Sequence, residues 1–184
     1  MKRISFNSPV VLTFTLLSGI ALLLNYLTGG LTNALLFSVY KGSLFDPLFY
    51  IRLFTHVLGH ANLEHYTSNM ILFLLVGSLL EEKYGSKKLF FIIMLVALVT
   101  GIIHVILPGY SMLLGASGVD FAFIILASIT GTRDNGIPLT FIIVAMIYIG
   151  QQIYQGILLN DQVSQLTHIV GGCVGGIYGL THKK

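Results

Sequence analysis

Met112-Leu113-Leu114-Gly115-Ala116-Ser117-Gly118-Val119-Asp120 opens a stretch that stays apolar to Thr130 and carries inside it a hydroxyl, two glycines and a carboxyl. At 19 residues it is close to the roughly 20 needed to cross a hydrocarbon core. Five other segments share its length and character. They run from about Val10 to Leu27, Leu63 to Leu80, Leu89 to Leu107, Leu139 to Leu158 and Ser164 to Leu180. Ser8-Pro9 reads as an N-cap followed by proline at the first helical position of the first segment. Lys2 and Arg3 before that segment give it the look of a secretory signal. No small-residue cleavage site follows and five more apolar segments do, so the segment reads as retained.

Composition points the same way. Hydrophobic residues make up 55% of the 184-residue chain and charged residues 9%, with a mean hydropathy of +0.87. A soluble domain carries about a quarter charged residues, so the solvent for this chain is lipid. The length suits one domain over residues 1–184. No basic cluster with interleaved aromatics speaks for nucleic acid. The single cysteine, Cys173, allows no internal disulfide framework.

Charge sets an orientation. Eight of the ten basic residues (Lys2, Arg3, Lys83, Lys87, Lys88, Arg133, Lys183 and Lys184) fall in alternate connections, leaving Lys41 and Arg52 in the other set. The positive-inside rule then places both termini in the cytoplasm. The connection from Thr28 to Asn62 is the one long one. It is rich in Leu, Phe and Tyr but interrupted by Gly42 and Asp46-Pro47, so it reads as an interfacial segment in the outer leaflet rather than a span. The expected fold is all-α: a polytopic membrane protein of six transmembrane helices with a long interfacial first loop.

Three polar sets sit within these segments. His65 and Asn69, four apart, share a helix face. Ser117 lies between Gly115 and Gly118. His168 is followed by Gly171, Gly175 and Gly179. Polar groups at membrane depth are costly and tend to be functional or internally bonded. In the orientation above, the second, fourth and sixth helices all run inward. His65, Asn69, Ser117 and His168 then fall within the first two turns or so, about 5–10 Å below the outer surface at roughly 1.5 Å per residue. One hydroxyl, two imidazoles and an amide at one level are the inventory for acyl transfer: nucleophile, base and oxyanion donors. A metal reading of His56, His60, Glu64 and His65 lacks the H-E-x-x-H spacing of zinc proteases.

Gly115-x-Ser117-Gly118, His168-x-x-Gly171-x-x-x-Gly175, the run from His56 through His60, His65 and Asn69, and Glu81 to Gly85 together resemble the rhomboid family of intramembrane serine proteases. Arg52 resembles the arginine of that family's first-loop Trp-Arg motif, with Ile51 in place of the tryptophan. The resemblance implies a Ser–His dyad of Ser117 and His168. It implies an oxyanion hole formed by the Ser117 N–H, His65 and Asn69. Substrates would be transmembrane segments of other membrane proteins, cut near the outer face where their helix can unwind, with a small residue before the cut. No cofactor and no metal are implied, and the expected location is the cell membrane. The alternative is a catalytically inactive rhomboid-like protein that binds membrane clients. His56, His60 and Glu81 read as structural groups that order loop and helix ends. Asp120 reads as a structural, protonated or hydrogen-bonded carboxyl facing the bundle.

The orientation has a direct check. Reporters fused after Lys184 and within Lys83–Lys88 should read as cytoplasmic, and one near Gly42 as external. The reverse pattern would put the polar level on the cytoplasmic side.

Overall fold

The computed structural model describes residues 6–107, 111–130, 139–159 and 162–182. Lys2, Arg3, Arg133, Lys183 and Lys184, which enter the readings above, lie outside them. The described chain is helical. Its main helices are α1 (Pro9–Leu27), α3 (Leu63–Tyr84), α4 (Ser86–Ile106), α5 (Ser117–Ile129), α6 (Leu139–Leu159) and α7 (Gln162–Thr181), with α2 (Pro47–Thr55) inside the long first connection. By length and composition α1, α3 and α4 are each able to cross a membrane. The first connection also holds a π-helical turn at Asn33–Phe37 and a 3-10 turn at His56–Leu58.

Helix ends follow local chemistry. Gly85 adopts φ +82° and separates α3 from α4, a left-handed conformation that glycine takes without a Cβ clash. Asp46 and Pro47, read from the sequence as an interruption, start α2 instead. The Asp46 carboxylate accepts from the Leu48 N–H at 2.9 Å and Pro47 takes the first helical position. At α1 the Ser8 hydroxyl makes no capping bond. Its work is done from across the bundle: Glu81, buried near the end of α3, accepts from the N–H groups of Val10 and Val11 at 3.0 Å each. A carboxylate there satisfies two of the unpaired N–H groups and meets the positive end of the helix dipole.

The fourth segment begins later than expected. Met112–Ala116 is not helical; α5 starts at Ser117 and is only 13 residues long. Gly115, at φ +122°, turns the chain out of the helical region. At about 1.5 Å per residue such a helix spans roughly 20 Å, short of a hydrocarbon core of about 30 Å. The preceding chain is irregular but bonded to protein. Leu113 exchanges both backbone bonds with Val39 at 2.9 Å, and the Gly115 N–H donates to the His56 carbonyl at 3.0 Å. Irregular backbone at membrane depth needs such internal partners.

Aromatic packing joins the helices. Phe14 of α1 stacks on Phe73 of α3 (ring centroids 4.3 Å apart), and Phe73 meets Phe123 of α5 at 5.1 Å. The tightest contact lies between α5 and α7. A Cβ at Gly171 would overlap the Gly118 carbonyl, and one at Gly175 would overlap the Ala122 carbonyl. The two contacts advance four residues on each helix, so α5 and α7 run side by side in the same direction. Small residues permit this approach of backbones.

Gly175→Ala should therefore lower stability by about 1–3 kcal/mol, the usual cost of overpacking. Gly150→Ala in α6, where a Cβ meets nothing within 4 Å, should leave stability unchanged or raise it by up to about 1 kcal/mol. Thermal melting in detergent checks both; equal effects would mean that the α5–α7 contact is not tight.

Candidate active site

The α5–α7 contact sets the position of two side chains. Ser117 is the first residue of α5 and His168 lies two turns into α7. The Ser117 Oγ stands 2.7 Å from the His168 Nε2, in hydrogen-bond contact. The ring of Phe121, one turn further along α5, leans on the imidazole at 4.8 Å between centroids. The serine thus sits where helix N–H groups have no intrahelical partner and the dipole favours negative charge. A nucleophile and a base within hydrogen-bond reach form the core of an acyl-transfer site.

His65 and Asn69 come from the first two turns of α3. Asn62 caps that helix, its side-chain oxygen accepting from the His65 N–H at 2.8 Å. Both side chains lie against Gly115. A Cβ on Gly115 would stand 2.8 Å from the His65 Nε2 and 3.5 Å from the Asn69 Nδ2. Gly115 therefore has two reasons to be glycine: its positive φ and the imidazole where a side chain would go. The two potential donors stand beside the backbone two residues before Ser117.

The remaining histidines of the set lie in the first connection and bond both within it and to the neighbouring helices. His56 is buried, with its Nδ1–H donating to the Arg52 carbonyl at 3.1 Å and its Nε2 3.4 Å from the Thr100 hydroxyl. Burial pushes the imidazole down to about pKa 4, with the Arg52 carbonyl working against that shift and His104 adding to it. The His60 Nδ1 contacts the Leu58 carbonyl at 3.2 Å, its Nε2 contacts the Asn69 Nδ2 at 3.1 Å, and its own carbonyl accepts from Asn33 at 3.0 Å. Burial, and then the neighbouring His65, bring His60 down to about pKa 4. Among the described residues no three His, Cys, Asp or Glu side chains converge as a metal cage would.

Arg52 is buried, pairs with Asp46 at 2.8 Å, donates to the Leu35 carbonyl at 3.3 Å and lies over the Tyr40 ring at 4.5 Å. It pins the first connection without help from Ile51, which is exposed. Thr100 was not singled out by sequence. A lone threonine in an apolar helix most often bonds back to the preceding turn, as its 2.7 Å bond to the Val96 carbonyl does. A cavity of about 10 Å³ remains between His56, Thr100, Gly115, Ser117, Thr167 and His168. That is about the room of one water among polar groups.

Asp120 is the exception. It is 2% exposed, and neither carboxyl oxygen has a hydrogen-bond partner among the described residues. It faces the bundle, as expected, but makes no bond to the imidazole of His168. Compared with known protein families, residues 48–184 match the Rhomboid domain.

If Asp120 oriented the base, Asp120→Asn would cost about 10⁴ in kcat, as for a triad acid. The geometry predicts a change of less than about tenfold. Asp120→Leu should raise the melting temperature, because an unpaired buried polar group costs about 1–3 kcal/mol. A marked fall would mean that the carboxyl has a partner.

Proposed function

The chain belongs to the rhomboid family, and from that premise we propose that it is an intramembrane serine endopeptidase acting through a Ser117–His168 dyad. The observation that carries the reading is the 2.7 Å contact between the Ser117 Oγ and the His168 Nε2. A client-binding protein without catalysis has no need of a hydroxyl and an imidazole held in that geometry.

The steps follow from the positions of the groups. The unprotonated His168 Nε2 takes the Ser117 hydroxyl proton as Oγ attacks the scissile carbonyl carbon. Negative charge moves to the carbonyl oxygen, where the Ser117 backbone N–H, His65 and the Asn69 amide would donate. Charge developing at the N-terminus of α5 is also favoured by the helix dipole. His168 then gives the proton to the departing amine, leaving the acyl group as an ester on Ser117. Water, losing a proton to His168, attacks that ester and regenerates the serine. The cavity beside Ser117 has room for such a water.

The setting supports one substrate class. A peptide bond within a helix is shielded by its own hydrogen bonds, so attack requires an extended stretch. The residues around Ser117, in the first turn of a short helix, would be reached by a transmembrane segment that unwinds near one face of the bilayer. We assign that to the outer face, with both termini of this chain in the cytoplasm.

Ser117→Ala and His168→Ala should each abolish cleavage of a transmembrane reporter while leaving the melting temperature close to wild type. Wild type, but not Ser117→Ala, should be labelled by a fluorophosphonate. Asn69→Ala should lower kcat by about 10²–10³, the cost of one oxyanion donor, with little change in KM. Substantial cleavage by Ser117→Ala would end the serine-protease reading. A change confined to KM would make Asn69 a binding residue.

A further inference from the structure

The ring of His60 occupies a place that loop ordering alone does not require. Its backbone carbonyl already ties the loop to Asn33, yet its side chain turns to α3 and meets the Asn69 amide. The two contacts of the ring decide its protonation. The Leu58 carbonyl can only accept, so the Nδ1 facing it at 3.2 Å carries the hydrogen. In a neutral imidazole the other nitrogen is then a lone pair. The His60 Nε2 is therefore an acceptor, and the 3.1 Å contact is an Asn69 N–H donating to it.

This fixes the Asn69 amide in one of its two orientations. With the amide turned over, its oxygen would face the lone pair of Nε2 and the bond would become a repulsion. With the amide held as it is, one N–H of Nδ2 is spent on His60. The other remains on an atom that lies beside Gly115, where the carbonyl oxygen of a substrate attacked by Ser117 would carry its charge. An amide presenting its oxygen at that point would oppose the charge instead of stabilising it. We propose that His60 is a positioning residue of the oxyanion hole, its Nε2 holding the Asn69 amide with N–H rather than oxygen toward the transition state.

The surroundings of His60 keep the ring in the form this requires. The titratable groups facing it are His65, with ring centroids 5.1 Å apart, and Tyr66 at 5.5 Å, both from α3. The group contributed by the π-helical turn is the Asn33 amide. Burial and His65 hold the imidazole near pKa 4. The ring stays neutral throughout the range in which a histidine serves as general base.

The inference rests on Asn69 being an oxyanion donor, and the experiment separates the two claims. It measures kcat and KM on one transmembrane reporter for Asn69→Ala, His60→Leu, His60→Gln and the double variant His60→Leu with Asn69→Ala. Thermal melting gives the folded fraction, and His60→Phe serves as a second variant without an accepting nitrogen, oxygen or sulfur should the leucine protein not fold. His60→Leu is expected to lower kcat about tenfold or more, but no further than Asn69→Ala itself, whose loss is about 10²–10³. KM should stay near wild type. His60→Gln, whose side-chain oxygen can accept from Asn69, should recover most of the rate. In the Asn69→Ala background, His60→Leu should change kcat by less than about twofold, because there is no amide left to orient. Full kcat in folded His60→Leu, or a loss that multiplies with that of Asn69→Ala, would overturn the inference and make His60 purely structural. Full kcat in Asn69→Ala would overturn the oxyanion role of Asn69 itself, and the role of His60 with it.

Discussion

The direct meeting of α5 and α7 is the constraint from which the site follows. Gly171 lies on the Gly118 carbonyl and Gly175 on the Ala122 carbonyl. No side chain intervenes, so nothing at those positions can change rotamer and let the helices drift. In lipid there is little hydrophobic drive between helices, and close van der Waals contact of small residues takes its place. The same register that aligns the glycines brings Ser117 and His168 together at 2.7 Å. A side chain at Gly171 or Gly175 would push the two helices apart and disturb both features together.

Around this contact the bundle spends its few polar groups on ends and loops. Glu81 closes the start of α1 from the end of α3. Arg52 gathers Asp46, the Leu35 carbonyl and the Tyr40 ring. His56 receives the Gly115 N–H on its carbonyl while its ring bonds Arg52, so the first connection and the approach to Ser117 share one set of hydrogen bonds. Each of these groups replaces water that a buried backbone would otherwise lack. Asp120 breaks the pattern, buried with neither carboxyl oxygen bonded among the described residues.

The helices were legible because apolar length is a strong signal. α1, α6 and α7 begin and end within two residues of the sequence-based bounds, and the later end of α3 is a polar extension, Glu81 to Tyr84, that hydropathy alone does not count as helix. The fourth segment failed at its start for a physical reason. Met112–Ala116 is as apolar as a helix, but the bridge of Leu113 to Val39 and the turn at Gly115 keep it out of one, and a pairing partner more than seventy residues away leaves no local trace. Ser8 likewise looks like a cap by type, while the groups that do the capping lie on another helix. At the site, helical spacing put His65 and Asn69 on one face. The ring contact between His60 and Asn69 could not be read, because it depends on how the chain turns between the 3-10 turn His56–Leu58 and α3.

The site is thus built from two halves held by different means. Ser117 and His168 are placed by backbone contact between α5 and α7, where a displacement costs steric overlap. His65 and Asn69 are placed by side-chain bonds at the N-terminal end of α3, where a displacement costs one hydrogen bond, about 1 kcal/mol net. The halves meet at Gly115, whose missing side chain leaves the space that His65 fills. Steric placement tolerates no error but cannot orient an amide, because the two ends of a carboxamide have nearly the same shape. Only a hydrogen bond of defined polarity can tell them apart. In the proposed mechanism, the half that would handle proton transfer can rely on packing, and the half that would stabilise charge needs a partner of fixed tautomer beside it.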